Sequence, residues 1–346
     1  MNVLIIGTMQ NLQSGVYFKL SFEELGHTVR VIDPRVIIGE LGISPAQSVI
    51  IQKVKEIDIK PDLILILKGL ELTLTTLKEI RKTFEKATLI NWYPDIILYE
   101  RPIWEKEEYY ENIKLYDYFF CTLRGVATEL KEKGFDNVYY LGGACYPKFH
   151  GEQYMNSFQK QKYNNDVVFC GTLGFFHIHF DRIKYLQKII EEGFDIKIWG
   201  KIICDLKKIP PDVRHHCTGE EAINEKGAMV YQSSEISLGI DGMPELDSSW
   251  SVRLYRIMCA GGLLLNTNTT GLKEFFKINE TEDAPITPDQ DLVVFYDEND
   301  LIKKLDFLLS HKEICDSIRK NGQKKVIEKY KFTDMIEELM EVIKDE

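Results

Sequence analysis

Short runs of consecutive apolar residues alternate along most of the chain with longer segments whose apolar positions recur every three or four residues. The first rhythm predicts buried strands, the second predicts helices packed on them. Their alternation predicts parallel sheets covered on both faces, an α/β fold. Strands are expected at 2–7, 28–32, 63–67, 87–91, 118–122 and 137–141. Helices fit at 13–25, where Gly26 is the stop, and at 47–56, 75–84 and 125–133. Together these predict one doubly wound, Rossmann-like domain over 1–150.

The segment 148–165 breaks the rhythm: GEQYMNSFQKQKYNND is polar and has no buried period, as in a linker or long loop. A second round follows. Strands are expected at 167–170, 195–199, 235–240, 262–265 and 292–296, and helices at 181–192, 298–310, 313–329 and 333–344. The expected organisation is a second Rossmann-like domain over 151–330 and a helical tail, 331–346, able to cross back onto the first. Two such domains in series predict a cleft, with ligands beyond the carboxyl ends of the strands.

Length and charge narrow the class. The 346 residues suit two domains, and 43 basic against 54 acidic residues give a net charge of −11, which argues against a nucleic-acid partner or an anionic membrane surface. No apolar run reaches the roughly 18 residues of a membrane span. The start, MNVLIIGTMQ, reads as a strand and lacks the basic opening of a signal peptide. Seven scattered cysteines (121, 145, 170, 204, 217, 259 and 315) form no C-x-x-C pair, which suits a reducing, cytoplasmic compartment.

The densest chemistry lies in SVRLYRIMCAGGLLLNTNTTGLKE, 251–274. An amphipathic segment carries Arg253 and Arg256, stops at Gly261-Gly262 and feeds a short apolar run. Guanidinium groups near strand ends suit an anionic ligand. Thr270 and Gly271 precede a helix, where they form either an anion cradle or a plain cap. Gly171, Thr172 and Gly174 follow a strand, so their amides suit a phosphate, or make an ordinary tight turn. Arg182, His177 and His179 lie just beyond. The His-x-His spacing lacks further ligands, so no metal site is expected. Trp199-Gly200-Lys201 ends a strand: the glycine admits a nucleobase and Lys201 a phosphate, or the tryptophan packs. Asp241 and Glu245 are either hydroxyl ligands or solvated loop charges. In the first domain GTMQNLQSG is not G-x-G-x-x-G, which weakens a dehydrogenase reading. Asp95, after a strand and beside Trp92 and Pro94, is the candidate general base, or a capping aspartate; His150 is a weaker one.

NWYPD at 91–95, the run 116–150, DVVFCGTLG at 166–174, IKIWGK at 196–201 and SVRLYRIMCAGG at 251–262 occur in an order that resembles GT-B glycosyltransferases. More narrowly it resembles the family-1-like transferases of the CgeB, spore-maturation type. The resemblance implies a GT-B fold and transfer of a sugar from a nucleotide-diphosphate donor, UDP-linked, to a hydroxyl acceptor. It implies that the donor sits mainly on the second domain and the acceptor on the first, and no metal or resident cofactor is expected. It implies that Arg253 clamps the diphosphate. Many retaining members carry two glutamates where this chain has Ser248 and Arg256, so the ribose-binding glutamate does not carry over. Arg256 is then a second phosphate ligand or a surface residue. A nucleotide-sugar epimerase on the same scaffold, or a nucleotide-sugar-binding protein without activity, are the other readings.

Overall fold

The structure, a computed structural model, describes residues 1–9, 14–95, 109–174 and 177–344, and for 177–181 the backbone alone. The chain forms two compact units, one from Met1–Gly142 with Phe332–Glu346, the other from Gly143–Lys331.

The first unit is built on six parallel strands: β1 (Asn2–Ile6), β2 (Thr28–Ile32), β3 (Leu63–Leu67), β4 (Thr88–Tyr93), β5 (Tyr118–Cys121) and β6 (Val138–Tyr140). Their order in the sheet is β2-β1-β3-β4-β5-β6. Every residue of β3, LILIL, is buried, as in a strand covered on both faces. Helices Ser14–Glu24, Ile43–Lys55, Leu74–Thr83 and Arg124–Glu132 lie close to the expected spans. Helix Pro34–Leu41 has no counterpart among them: Asp33 accepts from the Arg35 amide and Pro34 occupies the first turn, so the pair that ends β2 also starts a helix. The tail helix Phe332–Lys344 belongs to this unit. The Phe332 ring lies 5.2 Å from Tyr17 and 5.3 Å from Phe18.

The first unit closes at Gly142 and not at residue 150. The Cys145 amide donates to the Tyr330 carbonyl at 2.9 Å, and helix Pro147–His150 packs on helices Asn224–Ser233 and Arg253–Cys259. The expected linker is also more ordered than its polarity suggests. It contains helix Ser157–Tyr163, started by a capping box of Asn156 and Gln159 and anchored by buried Met155 and Tyr163.

The second unit carries β7 (Val167–Cys170), β8 (Ile196–Trp199), β9 (Ile236–Gly239), β10 (Leu264–Thr267) and β11 (Val293–Phe295), in the order β11-β10-β9-β7-β8. Successive residues of β7 feed separate cores: Val168 and Cys170 join one, Val167 and Phe169 the other. Both faces of the sheet are therefore covered, one of them by helix Arg253–Cys259. That helix buries Leu254, Tyr255, Ile257, Met258 and Cys259, so it is apolar around most of its circumference rather than amphipathic. From β7 the chain leaves for β8 on one side, and from β9 it continues to β10 on the other. The gap between the carboxyl ends of β7 and β9 is thus the switch point of the sheet, the place where open α/β sheets admit ligands.

Candidate functional site

Four of the residues singled out from the sequence meet at this switch point. Gly171 and Thr172 leave β7, Arg182 lies on the helix His177–Glu191 that follows, and Arg253 opens its own helix just beyond β9. The Arg253 guanidinium lies over the Phe169 ring, 5.0 Å from its centroid. A Cβ on Gly171 would sit 2.9 Å from Phe169 Cζ and 3.2 Å from Arg253 Nη2, so the glycine is what lets the guanidinium approach this turn. Arg253 Nη1 is buried and has no hydrogen-bond partner among the described residues. A buried guanidinium N–H without an acceptor is costly, and a bound anion would satisfy it.

Arg182 is buried and already engaged. Its Nε donates to the Ile240 carbonyl at 3.0 Å and its Nη1 to the Thr172 carbonyl at 3.2 Å. Burial, and then the charge of Arg253, pull its pKa down to about 10, against the opposing charge of Asp241. Asp241 is committed too. Its Oδ1 accepts from the Ser251 amide at 3.0 Å and its Oδ2 from Asn266 Nδ2 at 3.0 Å. The loop from Asp241 to Trp250 is held in unusual backbone, with φ of 110° at Met243 and 61° at Ser248. Non-glycine residues rarely adopt such angles, and they cluster where a loop is shaped for a task. The sequence offered no signal for them.

Arg256 serves a different neighbourhood. One turn along the helix from Arg253, it lines a small cavity with His150, Asn224 and Tyr231. His150 Nδ1 accepts from the Tyr146 amide at 2.9 Å. Burial, and then the charge of Arg256, push the His150 pKa down to about 2 against its hydrogen bond with Asn224, so the ring is neutral at physiological pH. Asn224 stands at φ 53° at the start of helix Asn224–Ser233.

Other candidates lie apart. Lys201 forms a solvated ion pair with Glu221 at 2.7 Å. Gly174, at φ 89°, faces Cys204, whose Sγ would lie 2.1 Å from a Cβ there. Trp199 is buried against Tyr163, with Lys226 Nζ 4.7 Å from its ring centroid on the other contact. Thr270 and Gly271 precede a helix of only four residues, Leu272–Phe275, and no side chain caps it. The Thr270 amide instead donates to the Pro244 carbonyl at 2.8 Å and its carbonyl accepts from Ser248 at 3.0 Å, which ties down the 243–248 loop. The side chains of His177 and His179 lie outside the described residues. No group of three or more His, Cys, Asp or Glu side chains suited to a metal ion occurs among the described residues.

In the first unit Asp95 follows β4 and forms an ion pair with Lys68, which follows β3. Lys68 has φ 61°, and its carbonyl accepts from Tyr109 Oη at 2.8 Å and Asn91 Nδ2 at 3.2 Å. Lys68 was not among the expected site residues; a lysine-glycine pair directly after a buried strand was the available signal.

Two doubly wound parallel sheets, each with its strand order reversing inside the sheet, make up the GT-B glycosyltransferase fold. Residues 182–341 match the family model described as "Glycosyl transferase-like". No curated protein matches the chain by sequence. Among solved structures, sucrose-phosphate synthase from Thermosynechococcus elongatus aligns with 100% of this chain and 98% of its own at a TM-score of 0.67 and 10% identity. The catalytic domain of starch synthase IV from Arabidopsis thaliana, bound to ADP and acarbose, aligns over 92% and 94% at 0.64 and 10%. UDP-GlcNAc 2-epimerase from Neisseria meningitidis, bound to UDP-GlcNAc, aligns over 100% of both chains at 0.53 and 15%. At such identities the likeness is one of fold. No helix among the described residues is long and apolar enough to cross a membrane.

Proposed function

We propose that this protein is a glycosyltransferase of the CgeB-like type, moving a sugar from a UDP-linked donor to a hydroxyl acceptor. The observation that carries the reading is the buried Nη1 of Arg253, without an acceptor among the described residues, on a guanidinium whose Nη2 approaches Gly171 at the switch point of the second sheet. A nucleoside diphosphate leaving group gathers negative charge as the glycosidic bond breaks. A fixed guanidinium stabilises that charge more in the transition state than in the bound donor. With the Arg253 guanidinium as the source of positive charge, the proposed reaction needs no metal ion. Asp95 is proposed to take the proton from the acceptor hydroxyl, with Lys68 orienting its carboxylate. The acidic chain, with its thiols outside any disulfide among the described residues, suits work in the cytoplasm.

A thermal-shift panel of nucleotide sugars and nucleoside diphosphates tests the donor site, since a ligand that binds only the folded state raises apparent stability. UDP and UDP-sugars should stabilise the protein. If no nucleotide or nucleotide sugar does, the donor reading fails. Product analysis of UDP-GlcNAc incubated without acceptor separates transfer from epimerisation, because an epimerase converts the donor alone.

A further inference from the structure

We propose that Arg182 is a positioning residue that acts through Arg253: it clamps the two strand ends bordering the switch point and so holds the anion-binding guanidinium in place. The proposal rests on the diphosphate reading of that site and goes beyond it by assigning Arg182 away from direct contact with the ligand.

The geometry is specific. The chain diverges after β7 and β9, and nothing in a parallel ladder ties the two strand ends together beyond the last backbone pairs. Arg182 spans them. One edge of its fork donates to Thr172 on the β7 side, and Nε donates to Ile240 on the β9 side. Ile240 adjoins Asp241, whose Oδ1 accepts the Ser251 amide at 3.0 Å. Ser251 Oγ in turn accepts the Arg253 amide at 3.3 Å. Hydrogen bonds joined through the Ile240–Asp241 peptide link therefore run from the Arg182 guanidinium to the first turn of the arginine helix. On the other side, the turn Arg182 secures through Thr172 includes Gly171, which the Arg253 guanidinium approaches. Arg182 thus holds the seat of Arg253 from both strands.

The clamp depends on the shape of the Arg182 side chain and not on its positive charge alone. A lysine could preserve that charge, but its single ammonium lacks the planar fork that reaches two carbonyls in fixed directions.

The test is a double-mutant cycle on the whole protein, with inorganic pyrophosphate as the probe. Affinity is measured by calorimetry well below the unfolding temperature, where a loss of stability alone would leave it unchanged. Arg182→Lys and Arg182→Gln should each weaken binding by about tenfold or more, and neither should weaken it further in an Arg253→Met background. Additive losses would mean that Arg182 touches the anion itself, and would overturn the proposal. So would full binding by Arg182→Lys, or unchanged binding by Arg182→Gln. If the wild type does not bind pyrophosphate, the diphosphate reading falls and this inference with it. Should the variants fail to fold, amide exchange on the wild type decides: pyrophosphate should slow exchange in 171–174 and 240–242 together. Protection of one segment without the other would refute the clamp.

Discussion

Replacing Arg253 with methionine separates stability from binding at a single side chain. Methionine keeps the length of the stem and its contact with the Phe169 ring, and removes the guanidinium. The folded protein loses a cation–π contact, worth about 0.5–2 kcal/mol. It also loses a buried donor without an acceptor, whose burial costs about 1–3 kcal/mol. The two effects oppose each other, so the ligand-free variant should unfold within about 1 kcal/mol of the wild type. Binding has no such compensation. A charge-assisted hydrogen bond to a diphosphate contributes about 1.5–3 kcal/mol, so UDP affinity should fall roughly ten- to a hundredfold. Urea denaturation without ligand and calorimetric titration with UDP read the two quantities separately. A variant destabilised by more than about 3 kcal/mol that still binds UDP normally would show Arg253 to be a packing residue and refute the reasoning.

Gly200→Ala should unfold the second unit or cost it about 3 kcal/mol or more, because φ is 150° there and a Cβ would lie 2.0 Å from the Gly171 carbonyl oxygen; a native-like melting temperature would contradict the geometry. His150 has a folded pKa of about 2 against an ordinary 6.5, so the unfolded chain binds the extra proton first. Its contribution to stability is whole above pH 6.5 and is lost as pH falls from there toward 2, by about 1.4 kcal/mol per unit. Denaturation between pH 6.5 and 5 should show this slope in the wild type and a shallower one in His150→Gln. Asp95→Asn should lower kcat by about 10²- to 10⁴-fold while leaving UDP binding intact; normal turnover would remove Asp95 from the chemistry.

Most of the architecture was legible in the residue pattern because burial on both faces demands unbroken apolar runs. LILIL at 63–67 and VVFC at 167–170 could hardly be anything but inner strands. Helix Asn224–Ser233 was not legible: NEKGAMVYQS buries Asn224, Gly227 and Ala228, so small and polar residues face the core and blur the period. The site was partly legible. Arg253 and Gly171 stood out because arginine and glycine at strand ends are chemically suggestive wherever they fall. Asp241 also stood out, but as a loop carboxylate its two readings, ligand or solvated charge, both missed its work as a brace between Ser251 and Asn266.

The succession of apolar runs and glycine stops is enough to dictate two parallel α/β sheets, because each run can be buried in few other ways. The chain's own residues also name the candidate cations. What they do depends on which strands become neighbours. Arg253 and Arg256 stand three positions apart, yet one turns to Gly171 and the other to His150, since a helix packed between a sheet and other helices offers different surroundings at each position around its axis. Arg182 is 71 residues from Arg253 in the chain and becomes its neighbour only because β9 inserts beside β7. Distances of that kind are set by long-range strand order, which no local pattern encodes.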